Sequence, residues 1–346
     1  MQRLLLVSPN WIGDAMFATA VVRVLRQRQP TMTVSVLCHP RVAEVFRGNP
    51  RVQRVICDDE RDTGLRPWWR LQQALHRERF EAALLLRPSL SRTWLLWWAG
   101  MPMRIGPATR KSGWLLTHPV AVPTGLHRAD GYLRLLSALG WTVTPGEGRC
   151  EWCVGEADRA WAQAWLAHAG VTHRPLVMLH PAANWEHKRW PAECFATLAD
   201  RLHTDCGARV LITGSPQETP LLEQMRQHLQ TDPVSAVGHT TISQLAALFE
   251  CADLIVTNDT GPMHLAVALD RPFVALFGPT SPTITGPYGA HRGRVLHNAG
   301  ACPVIPCYNA EHPPHRGMHS LSVEDVFGAA KALLQETAMS LERSHG

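Results

Sequence analysis

The sequence has 346 residues, of which 45% are hydrophobic and 18% are charged. A soluble chain of this length is expected to form about two globular domains, each with its own core. Residues 1–170 carry 22 Lys and Arg against 13 Asp and Glu, whereas residues 171–346 carry 12 against 16. The basic first half predicts an anionic partner there, although drift in surface composition would give the same counts.

Secreted and membrane-spanning classes are disfavoured. The apolar run at residues 4–7 is too short for a signal peptide, and no stretch reaches the roughly eighteen apolar residues of a transmembrane helix. Nine cysteines, an odd number without framework spacing, favour a reducing compartment. We therefore expect a cytoplasmic protein.

In chain order, the first half alternates strand-like and helix-like segments. Strands are predicted at residues 3–7, 33–37, 52–57 and 82–86, and helices at residues 15–29, 41–47 and 68–78. This alternation predicts a parallel sheet flanked by helices. Ligands of such sheets bind beyond the carboxyl ends of the strands, so residues 9–14 and 87–91 are expected at the binding edge.

Residues 89–110 combine Trp94, Trp97 and Trp98 with several arginines. Tryptophans flanked by arginines are typical of a membrane interface or of a site for a lipid-linked anion. More often such side chains form one core face with a solvated edge. We favour the core interpretation for at least two of the three tryptophans.

The second half repeats the alternation. Strands are predicted at residues 176–179, 209–212, 254–256 and 273–277, and helices at residues 192–204, 221–229, 242–249, 263–269 and 323–337. A further helix predicted at residues 156–170 ends the first half and borders the junction between the domains. We expect an N-terminal domain over 1–170 and a C-terminal domain over 171–320. The terminal segment 321–346 is expected to be a helix that packs back on the first domain.

Residues 253–282 form one strand–loop–helix–strand unit. Its loop places hydroxyls and free backbone N–H groups at a helix N-terminus, which favours a phosphate. Asp259 or Thr260 could instead cap that helix, and one residue can do both.

The sequence lacks three common nucleotide-binding patterns. There is no G-x-G-x-x-G after the first strand, no Walker loop and no Asp-x-Asp. These absences disfavour a dinucleotide oxidoreductase and a metal-held nucleotide diphosphate. A diphosphate would be met by a helix N-terminus and by Lys188 or Arg189, and we expect no metal and no other cofactor.

Three blocks together resemble a known family: PNWIGDAMF at 9–17, HPAANWEHKRWP at 180–191 and TNDTGPMHLAVALDRPFVALFGPTSP at 257–282. They are similar to the bacterial ADP-heptose:lipopolysaccharide heptosyltransferases of glycosyltransferase family 9. The W-I-G-D opening most resembles the heptosyltransferase II group. The resemblance implies a GT-B fold, in which two Rossmann-like parallel α/β domains face each other across a cleft.

The resemblance also implies a reaction, the inverting transfer of heptose from ADP-L-glycero-D-manno-heptose to a lipopolysaccharide inner core of the Kdo-lipid A type. The C-terminal domain would bind the donor and the N-terminal domain the acceptor, with peripheral contact to the inner membrane and no nucleic-acid partner. Alternatives are a GT-B transferase with another nucleotide-sugar donor, a nucleotide-sugar 2-epimerase, and a non-catalytic relative that only binds nucleotide sugar or lipopolysaccharide.

Roles for single residues follow from the resemblance. Asp14 would be the general base, although it could be only the N-cap of the following helix. Lys188 would neutralise the departing diphosphate. The implied donor-binding residues are Asn184, Lys188, Glu218, Asp259, Thr260, Gly261 and His264. The basic residues expected at the acceptor are Arg92, Arg104, Arg110 and Lys111.

Overall fold

The computed structural model describes residues 1–58, 65–110, 113–172, 175–302, 304–307 and 316–345. The chain divides into two compact units, Met1–Cys153 and Val154–Gly346. Each unit is built on a six-stranded sheet whose strands all run parallel, with helices in the connections. The predicted α/β class is therefore confirmed. Within the described ranges, no helix is both long enough and apolar enough to cross a bilayer.

The first unit has a central strand that is buried on both faces. Its strands are β1 (Arg3–Val7), β2 (Thr33–Cys38), β3 (Arg54–Cys57), β4 (Ala82–Leu85), β5 (Met103–Pro107) and β6 (His118–Val120), in the order β3-β2-β1-β4-β5-β6. Its helices are α1 (Ile12–Arg28), α2 (Leu65–Glu78), α3 (Leu90–Trp98) and α4 (Arg128–Arg134), with 3-10 turns at Pro40–Val45, Gly113–Leu115 and Leu135–Leu139. Strand β1 pairs with β2 on one side and β4 on the other, which explains its continuous apolar run.

The second unit has the same construction. Its strands are β7 (Leu176–His180), β8 (Arg209–Ile212), β9 (Val234–Ser235), β10 (Leu254–Asn258), β11 (Phe273–Phe277) and β12 (Gly293–His297), in the order β12-β11-β10-β7-β8-β9. Its helices are α5 (Glu156–His168), α6 (Ala192–Cys206), α7 (Thr219–Arg226), α8 (Ile242–Cys251), α9 (Gly261–Ala268), α10 (Pro282–Thr285) and α11 (Val323–His345), with 3-10 turns at Glu186–Lys188, Pro216–Glu218 and Ala299–Ala301. Every residue of β7, β10 and β11 is buried.

The buried strands are the ones that the sequence predicts best. The strands predicted at 3–7, 209–212 and 273–277 match β1, β8 and β11 residue for residue. Strands β5, β6, β9 and β12 were not predicted. Strand β9 has only two residues, β6 and β12 are largely exposed sheet edges, and β5 ends in glycine and proline, so none has a clear apolar pattern.

Two domain assignments are corrected by the structure. Helix α5 packs against α8, so the second unit begins at Val154 and not at residue 171. Helix α11, expected to pack on the first domain, packs on α6 and on the second sheet, where Phe327 and Leu333 join the core. The terminal helix therefore belongs to the second unit.

Two glycines allow the segment before α11 to approach the end of β11. A Cβ atom added to Gly317 would lie 2.8 Å from the backbone of Gly278, the residue that follows β11. A Cβ atom added to Gly278 would lie 2.6 Å from Cγ of Met318, whose side chain is in the second core. This close approach holds the loop after β11 in place, including the nearby Thr280.

We predict that Gly317→Ala destabilises the second unit. The new methyl group would meet backbone and not a mobile side chain, and overpacking of this kind costs about 1–3 kcal/mol. Gly328→Ala on α11 is the control, because a Cβ atom there would meet nothing within 4 Å. Alanine at this helical position should stabilise the protein by roughly 0.5–1 kcal/mol. Urea denaturation measures both, and equal stability of the two variants would contradict the close approach.

Candidate active site

The first group of candidate residues lies at the carboxyl ends of β1 and β4. These strands are parallel neighbours, so Asp14 after β1 and Arg87 after β4 emerge at the same sheet edge. Helix α1 begins at Ile12, which places Asp14 in its first turn and not in the preceding loop as predicted. Arg128 opens α4, which packs against α1 and so reaches the same edge.

Asp14 is held between two arginines. Its Oδ2 accepts a hydrogen bond from Nη1 of Arg87 at 3.0 Å, and its Oδ1 accepts one from Nη1 of Arg128 at 2.9 Å. The residue is 6% exposed, and these charge-assisted bonds offset the desolvation of the carboxylate. The N-cap alternative is wrong, because Trp11 occupies the N-cap position.

Tyr132 lies one turn after Arg128 on α4 and completes this group. Its phenol oxygen is buried and has no hydrogen-bond partner among the described residues. Burial, followed by the negative charge of Asp14, raises the pKa of Tyr132 well above its ordinary value, and the two arginines oppose that rise. The phenol of Tyr132 is therefore a neutral hydrogen-bond donor near the carboxylate of Asp14. Sequence reasoning missed Tyr132 and Arg128, since no strand was predicted before α4.

The second group lies where β7, β10 and β11 end. Strand β10 pairs in parallel with both of the others, so the loops that follow the three strands meet at one edge. Asn258 joins β10 to the loop after β7: its Nδ2 donates to the carbonyl of Pro181 at 2.7 Å, and its Oδ1 accepts from the N–H of Trp190 at 3.3 Å. Trp190 is fully buried and anchors that loop in the core.

Asp259 brings the three loops together. Nζ of Lys188 donates to Oδ2 of Asp259 at 2.6 Å, and Oγ1 of Thr280 donates to the same oxygen at 2.7 Å. The Asp259 side chain is 4% exposed, whereas that of Lys188 is 23% exposed. An ammonium group has three donors, so the exposed side of Lys188 retains capacity to bind an anion.

The N-terminus of α9 begins beside this ion pair. Thr260 is its N-cap residue but makes no side-chain capping bond, and Asp259 is bonded to Lys188 and Thr280. The two residues therefore do not cap the helix through their side chains. Pro262 has no N–H and the N–H of Met263 donates to the carbonyl of Thr260 at 3.1 Å, so the N–H of Gly261 is the first-turn donor that suits an anion. His264 is buried in α9, and Asn184 is exposed in the loop after β7.

His180 and Glu218 lie near the end of β7, beside β8. Nδ1 of His180 is 3.0 Å from Oγ1 of Thr213, and Oε2 of Glu218 accepts from the N–H of Ser215 at 2.5 Å. Burial lowers the pKa of His180 to about 4, and the charge of Glu218 opposes that shift. His180 is therefore neutral at neutral pH. It orders the start of the loop and supplies no positive charge.

Two residues expected at the acceptor have partners inside the first unit. The guanidinium of Arg92 pairs with Asp58, and burial lowers the pKa of Arg92. Arg104 donates from Nε to the carbonyl of Leu115 at 2.8 Å and from Nη1 to that of Met101 at 2.5 Å. Arg92 and Arg104 thus support the fold, and their placement in an acceptor site stays a prediction.

The other two basic residues differ from these. Arg110 is exposed, so it is accessible to an anionic ligand. Lys111 lies outside the described residues.

The prediction that at least two of the α3 tryptophans are core residues is wrong. Trp94, Trp97 and Trp98 are 42%, 52% and 38% exposed. Leu95 and Leu96 of the same helix are fully buried and belong to the core of the first unit. Helix α3 therefore carries one apolar face inward and another outward.

Fold and site together define the class of protein. Two Rossmann-like parallel α/β units, one with a buried carboxylate at its strand ends and one with a lysine beside a helix N-terminus, are the architecture of a GT-B glycosyltransferase. A sequence profile described as glycosyltransferase family 9 (heptosyltransferase) matches residues 68–311. The chain belongs to this family, which confirms the resemblance found in the sequence.

Known relatives agree with this assignment over nearly the whole chain. The chain is 27% identical to lipopolysaccharide heptosyltransferase 2 of Escherichia coli K12, across 97% of this chain and all of that protein. A crystal structure of a family 9 glycosyltransferase from Veillonella parvula superposes with a TM-score of 0.84 at 26% identity, covering 97% of both chains. The structure of E. coli ADP-heptose lipopolysaccharide heptosyltransferase II gives a TM-score of 0.80 at 25% identity, covering 97% of this chain and 99% of that one.

We predict that His180 makes the stability of the second unit depend on pH. Its folded pKa of about 4 lies below the unfolded value of 6.5, so the unfolded chain binds more protons between these values. The contribution of neutral His180 to the free energy of unfolding is present above pH 6.5 and is lost as the pH falls toward 4. At pH 5 the free energy of unfolding should be lower by about 2 kcal/mol than at neutral pH.

The measurement is urea denaturation at neutral and acidic pH for the wild type and for His180→Gln. The variant removes the titrating group and retains a hydrogen-bonding side chain. Its loss of stability between the two pH values should be smaller by about 2 kcal/mol. Equal losses in the two proteins would show that His180 does not titrate with a lowered pKa.

Proposed function

We propose that this glycosyltransferase moves heptose from ADP-L-glycero-D-manno-heptose to the inner core of lipopolysaccharide, with inversion at the anomeric carbon. Its family membership and its full-length similarity to lipopolysaccharide heptosyltransferase 2 support the proposal. The observation that carries it is the ammonium of Lys188, held by Asp259 beside the N-terminus of α9. A cation and a helix N-terminus together suit the diphosphate of a nucleotide sugar.

The second unit would bind the donor. The diphosphate would receive hydrogen bonds from backbone N–H groups at Thr260 and Gly261 and from Lys188. Asp259, buried behind the lysine, keeps that ammonium at the helix end, so little reorganisation is needed when negative charge develops on the leaving ADP. Glu218 lies beyond the neighbouring strand, where the adenosine ribose would lie, and Asn184 and His264 would contact the sugar and phosphates.

Asp14 would act as the general base. It would take the proton of the acceptor hydroxyl while that oxygen forms a bond to the anomeric carbon. The bond from that carbon to the diphosphate oxygen would break, and its electron pair would leave with ADP. The Arg87 side chain is 49% exposed and that of Arg128 is 30% exposed, so Arg87 is the partner more easily exchanged for the hydroxyl.

The first unit would bind the acceptor. With Arg92 and Arg104 engaged internally, Arg87, Arg128 and the exposed Arg110 are the basic side chains that support an acceptor with phosphate and carboxylate groups. The acceptor is attached to lipid A, so the enzyme would work from the cytoplasm as a peripheral protein on the inner face of the inner membrane.

The donor and acceptor assignments predict a simple pattern of substrate use. The purified protein should release ADP from ADP-heptose when a truncated core acceptor is present, and should leave UDP-hexoses unchanged. Lys188 and the α9 N-terminus suffice for the diphosphate in this proposal, so the rate should persist in EDTA. Consumption of a UDP-hexose, epimerisation without an acceptor, or binding without turnover would each point to another member of the GT-B group.

Substitutions of the two proposed catalytic residues should affect turnover and ADP affinity differently. Asp14→Asn should lower the turnover number by about 10²–10⁴-fold and leave the affinity for ADP unchanged, because only proton transfer is removed. Lys188→Met should lower turnover by about 10²–10³-fold and also weaken ADP binding, because it removes charge from the diphosphate site. Turnover is measured by ADP release and affinity by calorimetry.

Asp130→Asn is the matched control for Asp14. Asp130 also lies in the first unit, and its Oδ1 accepts a hydrogen bond from the N–H of Gly146 at 3.1 Å. Its variant should retain the wild-type rate. If Asp14→Asn retained it as well, Asp14 would be a structural partner of the two arginines and not the base.

A further inference from the structure

One surface of the first unit exposes an unusual amount of apolar area. Ten large hydrophobic side chains are exposed among the described residues, and six of them lie between residues 69 and 114. They are Trp69 on α2, Leu90, Trp94, Trp97 and Trp98 on α3, and Trp114 in the turn Gly113–Leu115. We call these six residues the tryptophan face. Contiguous apolar surface of this kind marks a contact site in a soluble protein.

The elements that carry the tryptophan face are in contact with one another. Helix α3 packs against α2 on one side and against the Gly113–Leu115 turn on the other. The ring of Trp94 lies 5.6 Å from that of the half-buried Trp68 and 5.3 Å from that of Trp98, measured between centroids. The rings of Trp94 and Trp98 are therefore braced by neighbouring rings.

The residues beside the face include exposed arginines. No Asp or Glu occurs between residues 82 and 129, and Asp58, which precedes α2 in the chain, is paired with Arg92 of α3. On α2, Arg66 and Arg70 are both exposed, and they lie three residues before and one residue after Trp69. Positions three and four apart share one side of a helix, so Arg66 lies on the side of both Trp69 and Arg70. The face thus combines exposed tryptophan with exposed arginine, and Asp58 beside it is neutralised by Arg92.

This chemistry suits an anionic bilayer better than a second copy of the chain. Tryptophan is the side chain enriched at the boundary between lipid headgroups and acyl chains, and nearby arginines are attracted to anionic headgroups. A twofold dimer through the same face would bring the arginines of two identical patches together, which is unfavourable for like charges.

We propose that the tryptophan face docks the first unit on the surface of an anionic phospholipid bilayer. The indole rings enter the boundary between headgroups and acyl chains, and Arg66 and Arg70 contact the headgroup phosphates. The docking itself depends only on this face. Its use, to bring the enzyme to a lipid-anchored acceptor, rests on the function proposed above.

The direct test is flotation of the full-length protein with vesicles. Vesicles of phosphatidylglycerol and phosphatidylethanolamine should carry the protein upward, and vesicles of phosphatidylcholine should carry much less. Brominated phospholipid in the anionic vesicles should quench tryptophan fluorescence, because the rings lie at the depth of the bromine atoms. This second measurement needs no variant, so a folding defect cannot obscure it.

Variants identify the surface that binds. Trp69→Ser with Trp97→Ser should weaken vesicle binding by more than about tenfold. Arg66→Glu with Arg70→Glu should weaken it by at least about 25-fold, since each arginine near the surface contributes about a fivefold factor in affinity. Met339→Ser is the control, because it removes an equally exposed apolar side chain from α11 and should leave binding unchanged.

Transfer activity separates this proposal from the enzymatic one. The tryptophan variants should transfer to a delipidated, water-soluble acceptor at the wild-type rate and should lose activity on acceptor embedded in vesicles. Failure of the wild type to bind anionic vesicles or to be quenched overturns the docking, whatever the transfer assay shows. A wild-type dimer that the tryptophan variants abolish would also overturn it, and would show that a second copy covers the face.

Discussion

The buried carboxylate of Asp259 is the contact on which the arrangement of loops at the strand ends of the second unit depends. A charged group that is 4% exposed must be compensated, and it receives Lys188 from the loop after β7 and Thr280 from the loop after β11. One side chain at the end of β10 thereby orders the loops of both neighbouring strands. The N-terminus of α9 starts two residues later, so the same contact sets the lysine beside that helix end.

The first unit uses the same principle with more positive charge. Asp14 is nearly as buried as Asp259, and two guanidiniums surround it. Elsewhere in the unit, arginines satisfy other polar groups, as Arg92 does for Asp58 and Arg104 does for two backbone carbonyls. The excess of basic residues in the first half is therefore not one binding patch. Part of it neutralises buried polar groups, and part is left at the strand ends and on the surface.

Helix α3 shows how a core element can also carry a surface for contact. Its leucines Leu95 and Leu96 face the sheet, and its tryptophans face outward. A helix that is apolar on both sides has the sequence pattern of a buried helix. That pattern favours the core interpretation of the tryptophans, which the structure shows to be wrong. Only the position of α3 at the outside of the unit distinguishes the two cases.

The sequence by itself determined the α/β class, the strands at the centre of each sheet and the family, because these depend on periodicity and motifs within short stretches. It also marked Asp14, Lys188 and Asp259 through those motifs. The tertiary structure alone decided which charges meet. The partners of Asp14 lie 73 and 114 positions away in the chain, and that of Asp259 lies 71 positions away. Arg87 and Lys188 reach their partners because parallel strands that are distant in sequence become neighbours in the sheet, and Arg128 reaches Asp14 because α4 packs on α1. No local pattern specifies either neighbourhood.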